Sequence, residues 1–132
     1  MELAEVVIDQ ISNAEIRSRD GMSSRCAYTR HFLATESGSE VGLLSVDTLP
    51  GEDRLVIYEI FVPTVLRRRG IGTRLLAAAE KMAWDLGYRS ALLVPKTLDG
   101  TFAQRSLEEW YASKGYRPLE NSGSGAFFKQ LA

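Results

Sequence analysis

The stretch LRRRGIGTRLL, residues 66–76, sets three arginines against two glycines and runs directly into leucines. Such a corner suits an anion. The first backbone N–H groups of a helix lack intrahelical partners and, with the helix dipole, make its N-terminus a place for negative charge. Gly70 and Gly72 remove the β-carbons that would hold a phosphate at a distance, and Arg67, Arg68, Arg69 and Arg74 surround it with positive potential. A pyrophosphate fits that shape, and so does a solvated surface turn, because short glycine motifs are weakly specific. A Walker loop would end in Gly-Lys-Ser/Thr, which is absent. A dinucleotide fingerprint would place a third glycine where Leu75 stands.

The elements that must hold this corner follow from hydrophobic periodicity. LVIYEIFV, residues 55–62, is apolar almost throughout except at Glu59, the mark of a central strand buried on both faces. Beyond it Ile71, Leu75, Ala79, Met82 and Leu86 recur three or four apart, and Gly87 stands where the longest helix would end. SALLV, residues 90–94, predicts a further buried strand, and strand, helix and strand in that order predict a right-handed crossover with the two strands parallel. QRSLEEWYASKG, residues 104–115, carries a second helical pattern through Leu107, Trp110, Tyr111 and Lys114, closed by Gly115. Upstream, AEVVIDQI predicts a first strand with Val6, Val7 and Ile8, and SNAEIRSRDG a short capped helix or turn ending at Gly21. Residues 26–48 predict two strands around a turn at Ser37 to Ser39, and YRPL and AFFKQL a last pair flanking ENSGSG. The expected fold is α/β with a mixed sheet of about six to seven strands, about three to four helices and a parallel pair near the middle. One domain over residues 1–132 is expected, since no linker or repeat divides the chain.

Composition narrows the chemistry. Sixteen Lys+Arg against seventeen Asp+Glu give a net charge of -1, so no general attraction to nucleic acid or an anionic membrane is expected. One cysteine, Cys26, and one histidine, His31, leave no disulfide framework and no zinc spacing, and no metal is expected. No basic start leads into an apolar run, and about 18 consecutive apolar residues occur nowhere, so a cytoplasmic protein is expected.

With these elements in place, VPTVLRRRGIGTRLL resembles the acyl-CoA signature of the GNAT superfamily of N-acetyltransferases, Arg/Gln-x-x-Gly-x-Gly/Ala. Arg67, Gly70 and Gly72 fill the three fixed places, and Val62 stands where the family's strand-ending apolar residue does. EEWYASKGY is similar to the family's F-Y-x-x-x-G-F signature through Trp110, Tyr111, Gly115 and Tyr116. The resemblance implies an acetyl-CoA-dependent N-acetyltransferase acting on a primary amine of a small molecule, peptide or protein. It implies that the pyrophosphate rests on the backbone amides of Arg68, Arg69, Gly70, Ile71, Gly72 and Thr73. The pantetheine arm would lie between parallel strands that splay near Val62 and Val94, with the Val62 amide holding the thioester carbonyl. Tyr111 would protonate the departing thiolate, against the plainer reading of a core aromatic one turn from Leu107. Gln104 replaces the asparagine often found seven residues before that tyrosine in coenzyme contact.

Acyl transfer needs a neutral amine, whose conjugate acid titrates near ~10, so a base must take a proton. Glu59, the one carboxylate inside the predicted central strand, is the candidate, directly or through water. Strand alternation from Val62 puts it on the opposite face unless a bulge intervenes, and pairing with an arginine such as Arg54 is the alternative. His31 reads as a half-buried, hydrogen-bonded residue, Cys26 as a small packed one, and Trp84, opposite the apolar stripe of its helix, as packing at a helix edge or else the mark of a partner surface. The resemblance implies an acceptor recognised in part between the first and second strands, where the segment from Ser12 to Arg25 is short, and so an open acceptor site, toward which Asp47, Glu52 and Asp53 could draw a cationic amine. A catalytically silent acyl-CoA-binding module is the other reading, and exposed strand edges would allow a homodimer.

Overall fold

Four strands in chain order build an antiparallel meander: β1 (Glu2–Glu5), β2 (Thr29–Glu36), β3 (Ser39–Asp47) and β4 (Arg54–Phe61). The computed structural model describes residues 1–20, 26–96, 103–120, 123 and 125–131. Between β2 and β3 the turn residues Ser37 and Gly38 both have positive φ, 52° and 80°, the twist that suits a two-residue hairpin connection. The first strand lies earlier than the sequence predicts. Val6, Val7 and Ile8 fall outside it, and Ile8–Gln10 turns as a 3-10 helix, because Ile8 and Ile11 are drawn with Ile16, Leu43 and Phe61 into a small core on one face of the sheet. The short helix α1 (Ala14–Arg17) is capped by the Asn13 side chain, which accepts from Ile16 N at 2.9 Å, while its expected end at Gly21 lies outside the described residues.

The second half supplies the crossover. Helix α2 (Ile71–Asp85) follows β4 and leads to β5 (Ser90–Leu93), which pairs parallel with β4. Helix α3 (Gln104–Ser113), β6 (Arg117–Pro118) and β7 (Phe127–Gln130) complete one sheet in the order β1-β2-β3-β4-β5-β7-β6. The mixed sheet has seven strands, and its fourth position belongs to β4. Ile71, Leu75, Leu76, Ala79 and Ala83 bury the inner side of α2 against the larger core, which also holds Tyr111 and Tyr116. Met82 is only half-buried and Leu86 is exposed, since the helix turns away at Gly87, whose φ is 93°. Trp84 is exposed and its ring is covered by the Arg89 guanidinium at 4.1 Å.

Strand β4 is not buried evenly on both faces. Its burial alternates, and one extra residue shifts the alternation: Ser45 pairs with Glu59 and Val46 with Ile57, leaving Tyr58 as a bulge. Leu55 and Ile57 therefore join the larger core, and beyond the bulge Ile60 and Val62 pack against that core while Phe61 belongs to the smaller one. Because the bulge precedes Glu59, it leaves Glu59 opposite Val62, on the Phe61 face, and moves only the residues upstream.

Candidate active site

The parallel pairing of β4 and β5 runs from Arg54 opposite Ser90 to Ile57 opposite Leu93 and then stops. Beyond the bulge at Tyr58, from Glu59 to Phe61, β4 pairs with β3 alone, so its other edge opens into a cleft of about 380 Å³. This is at the lower end of the range for small-molecule sites. Residues 57–62 form one wall, Leu107, Trp110 and Tyr111 of α3 another, and the corner at Arg67, Arg68, Gly70, Gly72 and Thr73 closes one end. The sequence-predicted strand end, phosphate corner and second helix thus meet in one cavity.

At the corner two residues take left-handed backbone. Gly70, the N-cap of α2, has φ 80° and ψ 6°, and Arg68 reaches φ 64° with a full side chain, an uncommon conformation for any residue but glycine. Left-handed residues alternating with others turn successive N–H groups toward one point, the concave nest in which anions sit. A Cβ on Gly70 would meet nothing within 4 Å, so its conformation, not crowding, requires glycine there. A Cβ on Gly72 would come to 4.0 Å from the Trp110 ring, an ordinary contact. Arg68 and Arg69 are exposed around the nest. Arg74 is turned away, held bidentate by Glu36 at 3.0 and 2.9 Å, with the Glu36 carboxyl below its ordinary range because that guanidinium donates to it. Arg67 points back to the strand: its Nε donates to Val62 O at 2.8 Å, and its guanidinium lies 5.6 Å from the Phe61 ring centroid.

Tyr111 is 9% exposed, and burial pushes its hydroxyl up to about 12, so it is protonated at neutral pH. The ring is fixed edge-on between Trp110, at 4.9 Å, and Tyr116, at 5.9 Å. Its hydroxyl has no hydrogen-bond partner among the described residues, yet no buried side-chain oxygen there lacks one, so this oxygen touches open space. Tyr116 is anchored instead, donating to Glu80 at 2.9 Å.

Glu59 is 7% exposed and lines the cleft from the smaller-core face, where Arg19 holds it with Nε at 2.7 Å and Nη2 at 3.3 Å. The arginine that pairs it is Arg19, not Arg54. Arg19 also lies 5.3 Å from the Phe61 centroid. Next along this row, Ser45 stands opposite Glu59 and is bonded to His31 Nδ1 at 2.6 Å. Gln104 donates to Pro95 O at 2.8 Å and to Glu108 at 2.9 Å, tying α3 to the end of β5 outside the cleft wall. Asp47, Glu52 and Asp53 do not line the cleft, and Asp47 accepts from Thr29 instead. Cys26 is exposed, not packed. Lys96 and Ser106 line the cleft without having stood out in sequence, because neither belongs to a motif.

A family model described as an acetyltransferase (GNAT) domain matches residues 27–118. No match is found among curated protein sequences. Among solved structures, an IAA acetyltransferase from Bacillus cereus is 17% identical with a TM-score of 0.67, over 98% of this chain and 99% of that one. A chain of the AtaT-AtaR complex bound to DNA gives 13% identity and a TM-score of 0.70, over 99% of this chain and 95% of that one. The PaiA N-acetyltransferase of Thermoplasma acidophilum, solved with coenzyme A, gives 16% identity and a TM-score of 0.62 over 77% of this chain, which spans 60% of that protein's length. No described helix is long and apolar enough to cross a membrane.

Proposed function

Because the chain belongs to the acetyltransferase (GNAT) domain family, we propose that it transfers an acetyl group from acetyl-CoA to a primary amine by direct attack in a ternary complex. The observation that carries this reading is the end of β4–β5 pairing at Ile57 and Leu93, which opens one cleft onto the wound corner, Tyr111 and Glu59 together. Backbone amides from Arg68 to Thr73 would receive the pyrophosphate, with Arg68 and Arg69 adding positive potential. Acetyl-CoA would supply an acyl carbon activated as a thioester. The Val62 amide would stabilise charge growing on the carbonyl oxygen, and Tyr111, protonated and open to the cleft, would donate to the leaving sulfur. Glu59 reaches the cleft from the face opposite Val62, so an amine held there would approach the acyl carbon from the far side of the strand. It would draw the ammonium proton away, directly or through water.

The test measures thiol release with acetyl-CoA over a panel of small amines, peptides with free N-termini and lysine peptides, beside calorimetric binding of coenzyme A. Amine-dependent release is expected, lost on Tyr111→Phe with coenzyme affinity kept. Coenzyme binding with release at background throughout would reject catalysis. The bidentate hold of Arg19 on Glu59 favours a second reading, a silent acyl-CoA-binding module, which that outcome would support.

A further inference from the structure

Val62 lies beyond the last paired residue of β4 on both sides, since pairing with β3 ends at Phe61 and pairing with β5 at Ile57. It also precedes Pro63, which disfavours helical backbone for it and favours an extended one, continuing the strand. An extended residue turns its N–H and C=O toward the same edge of the strand. Neither ladder orients this peptide edge. What does is Arg67, five residues on, whose Nε donates to Val62 O at 2.8 Å. The 3-10 turn at Thr64–Leu66 folds the chain back, with Leu66 N bonded to Pro63 O at 2.9 Å, and brings the guanidinium to the strand end. There the guanidinium also lies 5.6 Å from the Phe61 ring centroid.

We propose that Arg67 is a positioning residue for the acyl carbonyl, not a ligand of the coenzyme phosphates: by fixing the Val62 carbonyl it aims the Val62 N–H into the cleft. This rests on the coenzyme-binding reading above. It separates two roles within one corner, in which the nest at Arg68 to Gly72 receives phosphate and Arg67 sets the oxyanion donor. The contribution is specific to a ligand bearing a carbonyl beside the sulfur.

Two unreactive analogues read this without turnover: a ketone analogue of acetyl-CoA, which keeps the carbonyl, and S-ethyl-CoA, which lacks it. Calorimetry on the whole chain should show Arg67→Met weakening the ketone analogue about tenfold, the scale of a lost charge-assisted hydrogen bond, with S-ethyl-CoA held within about twofold. Arg67→Gln, with an amide donor but no charge, should keep the preference for the ketone better than Arg67→Lys. Equal weakening of both analogues and of adenosine 3′,5′-bisphosphate, with Lys the better replacement and a shallower salt dependence, would make Arg67 a phosphate ligand and overturn the proposal. So would a Met variant indistinguishable from wild type. If Met does not fold, the order of Gln and Lys decides. Failure of the unaltered protein to bind either analogue would remove the coenzyme reading and this proposal with it, whereas binding without the Arg67 effect removes this proposal alone.

Discussion

Replacing Arg19 by methionine isolates the least ordinary interaction of the site. The pair it forms with Glu59 is bidentate, with side chains only 8% and 4% exposed, so removing the guanidinium leaves a carboxylate with little solvent to compensate it. Breaking a buried pair by removing one partner typically costs about 3–5 kcal/mol, because the other charge is left without compensation. For a chain of 132 residues that corresponds to a fall in Tm of roughly 12–20 °C. Methionine keeps an apolar stem against Phe61, so little of the loss comes from packing. Urea unfolding followed by tryptophan fluorescence, with the m-value checked for constancy, measures it. The double variant Arg19→Met, Glu59→Leu removes both charges and should return to within about 1 kcal/mol of wild type. A single-variant loss below about 1 kcal/mol, the scale of an exposed pair, would refute the burial argument. A double variant no better than the single one would assign the loss to packing.

Two further outcomes follow from the same geometry. Tyr111 titrates near 12 in the fold and near 10 when unfolded, so between those values the folded state holds a proton that the unfolded state has lost. The Tyr111 contribution is thus full below about pH 10 and falls as pH rises, by roughly 2–3 kcal/mol up to pH 12; Tyr116, also pushed up by burial and by Glu80, adds a loss of its own, so Tyr111→Phe should lessen the alkaline slope in a Tm-against-pH series without abolishing it. Gly70 and Gly72 should separate stability from binding. Gly70→Ala, at φ 80°, should cost about 1 kcal/mol from backbone strain alone, while Gly72→Ala, helical and only in ordinary contact with Trp110, should unfold no more easily than wild type. Both should weaken coenzyme A in calorimetry, and a Gly72→Ala protein that binds it like wild type would contradict the loop assignment.

What the sequence revealed was what local pattern can carry. The hairpin at Ser37 and Gly38, the run from β4 through α2 to β5 and the glycine stops at Gly87 and Gly115 each rest on residues close in the chain. The first strand lies elsewhere than the pattern predicts because Val6, Val7 and Ile8 have the propensity of a strand, yet Ile8 is buried with Ile16 and Phe61 instead of extending β1. Arg74 counted toward the anion corner from position alone. Its pairing with Glu36, 38 residues away, depends on where the hairpin passes α2 and leaves no trace in the motif.

Glu59 shows the same limit within the site. Its place on the strand was legible, and so was the face opposite Val62, because a period of two needs only Val62 as its origin. Its partner was not, since Arg19 is 40 residues away in a turn after a four-residue helix. The bulge at Tyr58 was equally hidden, although it sets which residues of β4 share a face with Glu59. Upstream of it the odd-numbered residues build the larger core, and downstream they face Arg19. One inserted residue therefore lets a single strand anchor α2 with Leu55 and Ile57 and still present Glu59 and Val62 to the cleft from opposite faces. A straight strand would have to give up one of those contacts.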